Sequence, residues 1–209
     1  MTTRSLTLTP SVRLAWRAWL LGLFALIFVT SGCQKYDQLI DADQVAQQKW
    51  SDYEAELQRR SDLVPNLVST VKASAKHEES TLKEVAVARA SASSIKLSDE
   101  DLTDPEKVAA FQKAQDNLRG SLSRLLVTQE AYPDLKANAS FHDLQVQLEA
   151  TENRILRARQ QYNGAVQRFN AELGKIGGAV VNKATGKPFK PRAYFQATSE
   201  SQAVPKVSF

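Results

Sequence analysis

Phe141, Leu144, Leu148, Thr151, Ile155, Ala158, Tyr162, Val166, Phe169, Leu173 and Ile176 form an apolar stripe in which every step is three or four residues. Ten steps cover thirty-five residues, a mean of 3.5. That is the heptad value, and a helix keeps such a stripe turned toward one neighbour only by wrapping gently left-handed against other helices. Thr151 and Ala158 are small enough to let a neighbour come close. The stripe predicts an all-α fold, an antiparallel helical bundle of three to four long helices with coiled-coil-like packing.

Two further stripes supply the partners. Val108, Phe111, Ala114, Leu118, Leu122 and Leu125 follow Asp104-Pro105, a carboxylate cap with proline at the first helical position. This helix is expected to end near Ala131, with Tyr132-Pro133-Asp134 as a turn, because proline holds the residue before it in extended geometry. Ser140 with Asp143 is a candidate cap for the long helix, and Asn138 is the alternative. Trp50, Tyr53, Leu57, Val64, Leu67, Val68, Val71, Ala75, Leu82 and Val85 mark the first helical region, which Pro65 either kinks or splits; this choice separates three helices from four. Asp99 to Asp104 is an acidic connector without the spacing or central Gly of a calcium loop. Gly177-Gly178, Asn182, Gly186, Pro188 and Pro191 break the pattern after Ile176. Phe189, Tyr194 and Phe195 offer aromatics that can fold back, and the stretch from Ala197 reads as disordered.

The start of the chain carries Arg4, Arg13 and Arg17 with no acidic residue, then an apolar run that ends at Gly32. From Ala18 to Gly32 there are fifteen residues, against the roughly 20 that cross a hydrocarbon core. This is the pattern of an export signal. Val29-Thr-Ser-Gly-Cys33 resembles the lipobox of bacterial lipoproteins, with Thr30 where the pattern favours Leu; the resemblance implies cleavage before Cys33 and acylation of its thiol and new amine. An uncleaved signal anchor is the alternative. Cys33 is the sole cysteine, so the exported domain forms no internal disulfide and relies on its core.

Residues 1–32 remove three arginines and leave twenty-four basic against twenty-three acidic side chains. The remainder is polarised: 34–174 is net −4, whereas 175–209 is net +5. Lys175, Lys183, Lys187, Lys190, Arg192 and Lys206 are read as a solvated basic tail, with lipid headgroups, an acidic partner or the chain's own acidic body as alternatives. Nucleic acid is not an expected partner outside the cytoplasm. The organisation expected is a lipoprotein-type signal peptide over 1–32, a tether over 33–40, a bundle over 41–176 and a basic, partly disordered tail over 177–209.

Leu57 to Lys72 (LQRRSDLVPNLVSTVK), continuing through Lys76-His-Glu78, and Glu130 to Asn138 (EAYPDLKAN), with Phe141, Leu144-Gln145, Thr151 to Ile155, Ala158-Arg159, Tyr162-Asn163 and Phe169-Asn170, resemble the LemA family of bacterial membrane-associated proteins. Phe189 to Phe195 is similar to the family's terminal aromatic segment. The resemblance implies an antiparallel helical bundle hung from the membrane by its N-terminus, with no established biochemical activity. Members usually carry a plain N-terminal transmembrane helix and Phe-Pro at the close of the last helix, so the lipobox and Ile176-Gly-Gly depart from it.

Chemistry is sparsely signalled. His77-Glu78 lacks the second histidine four residues on that a helical zinc motif needs, since position 81 is Thr. His77 and His142 are the two histidines, and a metal-binding or enzyme-accessory role through them is the alternative reading. Ser61, Ser69 and the serines of 91–98 lie in no nucleophile motif, and there is no phosphate loop. Gln145, Glu152 and Arg159 recur every seven residues beside the apolar seam. Glu152 and Arg159 stand about 10.5 Å apart along the helix, too far to pair, and Arg59 or Arg60 of the first helix is placed to bridge to Glu152. The strip of Arg60, Gln145, Glu152 and Arg159 is therefore expected to fix register between helices. The sequence reads as a non-enzymatic interaction module of the bacterial cell envelope, without cofactor or metal. It is anchored in the membrane through Cys33 with the domain outside the cytoplasm, and faces another envelope or membrane protein. The resemblance to bacterial lipoproteins implies the outer membrane where there are two, since Gln34 stands where an Asp signals retention at the inner membrane.

Overall fold

A computed structural model of the chain describes residues 10–74, 79–184 and 189–196, with side chains from residue 36 onward in those ranges apart from 74, 176, 181 and 184. His77 and the residues from 197 lie outside it, as does the side chain of Cys33. Six α-helices are described: α1 Pro10–Ser74, α2 Glu79–Ser94, α3 Pro105–Val127, α4 Pro133–Lys136, α5 Ala139–Gly174 and α6 Ile176–Ala184. There is no strand among the described residues. Four of the helices are long, and they alternate in direction: α1 packs along α5, α2 along α3, and α1 against α2 joins the two pairs.

The stripes become the core. Phe141, Leu148, Thr151, Ile155, Ala158, Tyr162, Val166, Phe169 and Leu173 are buried on α5, and Leu144 is half-buried. Val64, Leu67 and Val71 of α1 meet Leu118, Leu122, Leu125 and Phe141 at one end. Trp50, Tyr53 and Leu57 meet Phe111, Ile155 and Tyr162 in the middle. Leu39 meets Phe169 and Leu173 at the other end, an order that makes α1 and α5 antiparallel. Burying such side chains stabilises the fold by about 1.5–3 kcal/mol each.

Helix ends follow local chemistry. The Asp104 carboxylate accepts from the Glu106 and Lys107 amides at 2.9 and 3.4 Å, with Pro105 in the first turn, so the cap read from sequence is the one used. At α5 the cap is Asn138, whose Oδ1 accepts from Phe141 N at 3.2 Å; Ser140 lies inside the helix. Tyr132 is extended, with φ −128° and ψ 94°, between a 3-10 turn over Thr128–Ala131 and the short α4.

Pro65 does not split α1. Proline cannot donate to the carbonyl four residues back, which is that of Ser61, and Arg89 of α2 donates its Nε to this carbonyl at 3.0 Å. A second helix satisfies the group that the proline orphans. Two further expectations change. Positions 33–40 are helical and part of α1, with Leu39 buried. After Ile176 the chain forms α6, packed on α1 and α5, instead of losing helical structure. Gly178 permits this turn-back: a Cβ there would sit 2.2 Å from the carbonyl oxygen of Glu172.

Candidate functional site

Arg60 stands in the middle of α1, about 2% exposed. Its Nη1 donates to Glu152 of α5 at 3.0 Å, and its Nη2 donates to the Gln115 side chain and carbonyl of α3 at 2.5 and 3.3 Å. Gln115 in turn donates to the Ala92 carbonyl at the end of α2 at 3.1 Å. One guanidinium fork thus ties all four long helices, which a lysine's single point charge cannot do. Beside it Arg154 of α5 pairs with Glu56 of α1 at 3.0 Å.

The structure brings together only part of the predicted strip. Arg60 and Glu152 meet; Gln145 instead donates to Glu149 on its own helix at 3.2 Å, and Arg159 is half-buried on the wall of a groove that it shares with Arg60 and Glu152. Gln115 takes the place expected for Gln145. It lies one residue off the α3 stripe, and a buried glutamine there is legible only once the neighbour is known.

The second polar system is the tail. Residues 189–196 form an extended strap, held by side-chain amides that pair with both backbone groups of a strap residue. Asn182 clamps Phe189 at 3.0 and 2.5 Å, Asn170 clamps Arg192 at 2.9 and 2.9 Å, Asn163 clamps Phe195 at 2.8 and 3.0 Å, and Gln112 clamps Gln196 at 2.9 and 3.0 Å. Asn170 and Asn163 are seven helical residues apart, about 10.5 Å. Arg192 and Phe195 are three extended residues apart, about 10 Å. The two rises match, which is why helix and strap stay in register. The Ala193 amide adds a bond to the Leu102 carbonyl at 2.8 Å.

Two strap side chains are buried, and Phe189 packs part-buried on Phe169. Phe195 is 3% exposed within Trp50, Tyr53, Phe111 and Tyr162, stacked on Trp50 with centroids 5.9 Å apart and planes 5° apart. Arg192 is buried and donates through Nε and Nη2 to Asp43 of α1 at 3.1 and 2.9 Å, with Asp99 3.5 Å from Nη1 and the Phe169 ring beneath. The solvated tail expected from sequence is corrected at Arg192, which meets the acidic body of its own chain; Lys183 and Lys190 are exposed. Tyr194 points out.

Burial pushes the Tyr53 and Tyr162 hydroxyls up to about 12, against the opposing pull of Arg60 and Arg192 respectively, so both stay protonated at neutral pH. In the acidic connector Asp101 accepts from Lys107 and from the Ser98 hydroxyl and amide, and these bonds hold its carboxyl well below the usual range. That carboxylate ties Ser98, ahead of the 3-10 turn over Asp101–Thr103, to the turn's first residue. Among the described residues no three of His, Cys, Asp and Glu converge as metal ligands, and His142 is exposed on α5.

The sequence profile of the LemA family matches residues 49–209. The chain belongs to the LemA family. Magnetosome protein MamQ 1 and Magnetosome protein MamQ 2 of Paramagnetospirillum magneticum (strain ATCC 700264 / AMB-1) are each 25% identical to it over 190 residues, covering 83% of this chain and 69% of the relative. The LemA match takes in Arg60, Gln115, Glu152, the clamping amides and the strap. Among the described residues of this LemA-family chain no helix is long and apolar enough to cross a membrane.

Proposed function

We propose that this LemA-family protein is a lipid-anchored, non-enzymatic scaffold of the bacterial cell envelope, tethered through Cys33 and presenting its bundle outside the cytoplasm to another envelope or membrane protein. The buried Arg60 fork carries the non-enzymatic part of the reading. The most desolvated charge in the bundle is committed to four helices at once, which suits fixing register. Family membership and the magnetosome relatives support a membrane-associated envelope protein. Val29 to Cys33 supports the lipid, and Gln34 after it favours the outer membrane where there are two. Cys33 is six residues from the buried Leu39, about 9 Å along a helix, so an anchor there holds the bundle close to the lipid surface. One acyl chain binds a membrane only marginally; the several of a lipoprotein make the attachment stable.

Growth with a labelled fatty acid tests this. The intact gene product is expected to take up label, lose residues 1–32 and sediment with membranes, while Cys33→Ser stays unlabelled and uncut. An unlabelled parent, or a variant processed and partitioned like the parent, contradicts the tether.

A further inference from the structure

We propose that the seat of residues 189–196 is a peptide-recognition site that also accepts this segment from a second copy, so that two copies of the chain exchange straps. Wherever the seat clamps, it reads backbone. Asn182, Asn170, Asn163 and Gln112 each pair one side-chain amide with the N–H and the C=O of a single strap residue, groups that any extended segment offers. Side chains are read at every third position. Phe189 packs on Phe169, Arg192 pairs with Asp43, and Phe195 lies among Trp50, Tyr53, Phe111 and Tyr162. Lys190, Pro191 and Tyr194 are exposed. Main-chain bonds of this kind supply affinity and the spaced pockets supply selectivity, here for aromatic, arginine and aromatic at steps of three.

The second copy is the occupant for two reasons. It carries Phe189, Arg192 and Phe195 at that spacing. In a reciprocal exchange, moreover, each seat is refilled by an identical segment, so every clamp and ring contact is made again and the trade loses no bond. A foreign peptide would instead displace a strap whose Phe195 is 3% exposed and leave that ring in water. What favours the closed monomer is the strap's own attachment, which gives it a local concentration of about the millimolar range. The clamps of Asn170, Asn163 and Gln112 reach across 22, 32 and 84 residues of sequence, and none of these bonds depends on both partners belonging to one chain. The exchange needs no lipid on Cys33, so this assignment and the tether proposed above fail separately.

Two full-length variants in detergent micelles, carrying different affinity tags, test the exchange. Arg192→Ala with Phe195→Ala keeps the seat and spoils the strap, whereas Asp43→Ala with Asn163→Ala keeps the strap and spoils the seat. In the mixture the one sound strap and the one sound seat lie on different chains. Capture of the second variant by the first is therefore expected at about tenfold the level at which either captures itself. Arg192→Glu, which sets a carboxylate against Asp43 and leaves Phe195 in place, serves as the first variant if the double one does not fold. A labelled synthetic peptide of residues 189–196 gives the second measurement: it is expected to bind the first variant, and to lose binding when alanine replaces its arginine and its last phenylalanine. Peptide binding without capture overturns the second copy in favour of another protein's segment of the same spacing. Absence of both overturns the site, as does capture that persists when the first variant also carries Asp43→Ala and Asn163→Ala.

Discussion

Arg60→Ala is expected to cost the bundle about 3–5 kcal/mol, the range for removing one partner of a buried ion pair. The loss exceeds one hydrogen bond because the buried Gln115 Oε1 loses its donor, and Glu152 keeps a half-buried carboxylate without its cation. Urea unfolding followed by circular dichroism measures it. Arg60→Lys should recover little, since an ammonium does not reproduce the two-pronged reach to α3 and α5. Arg60→Met with Gln115→Leu and Glu152→Leu should recover most of the loss, because replacing a whole buried polar set by apolar side chains of similar volume is often neutral or better. A triple variant that folds as stably as the parent is what a register device predicts.

Phe195→Ala is the second large effect, about 3–5 kcal/mol for truncating a buried aromatic. The ring touches aromatics from α1, α3 and α5, so its removal opens a cavity where three helices meet. It also weakens the strap, since Phe195 is one of the two strap residues whose side chains are buried. Trp50 reports this directly. Its indole is stacked on Phe195, and its emission is expected to shift to the red and become quenchable by iodide in the variant. Tyr194→Ala, an exposed neighbour, is the matched control and should change stability by less than about 0.5 kcal/mol.

What the sequence made legible were the features written within one helix. The α5 stripe, the α3 stripe and the Asp104-Pro105 cap depend on residues a few positions apart, and each appears in the structure where the spacing put it. Pro65 was ambiguous because the group that keeps α1 continuous, Arg89, comes from another helix. α6 was hidden by Gly177-Gly178, which read as a breaker although Gly178 is there for close approach to Glu172. The strap was hardest, since its hydrogen bonds go to amides as distant as Gln112. Asn163 and Asn170, poor helix residues seven apart beside the buried Tyr162 and Phe169, were its one local trace. Heptad spacing alone groups Gln145 with the arginine strip, and spacing along one helix does not tell which neighbour reaches over; α3 does, with Gln115.

The bundle is closed by its own strap and tied by Arg60. Hydrogen exchange of the backbone amides of Arg192 and Phe195 in the full chain tests this most directly. Bonded to Asn170 and Asn163, they are expected to exchange with slow rates like those of the α5 core around Tyr162, and to lose that protection together in Phe195→Ala. Exchange at the rate of an open peptide in the parent would contradict it.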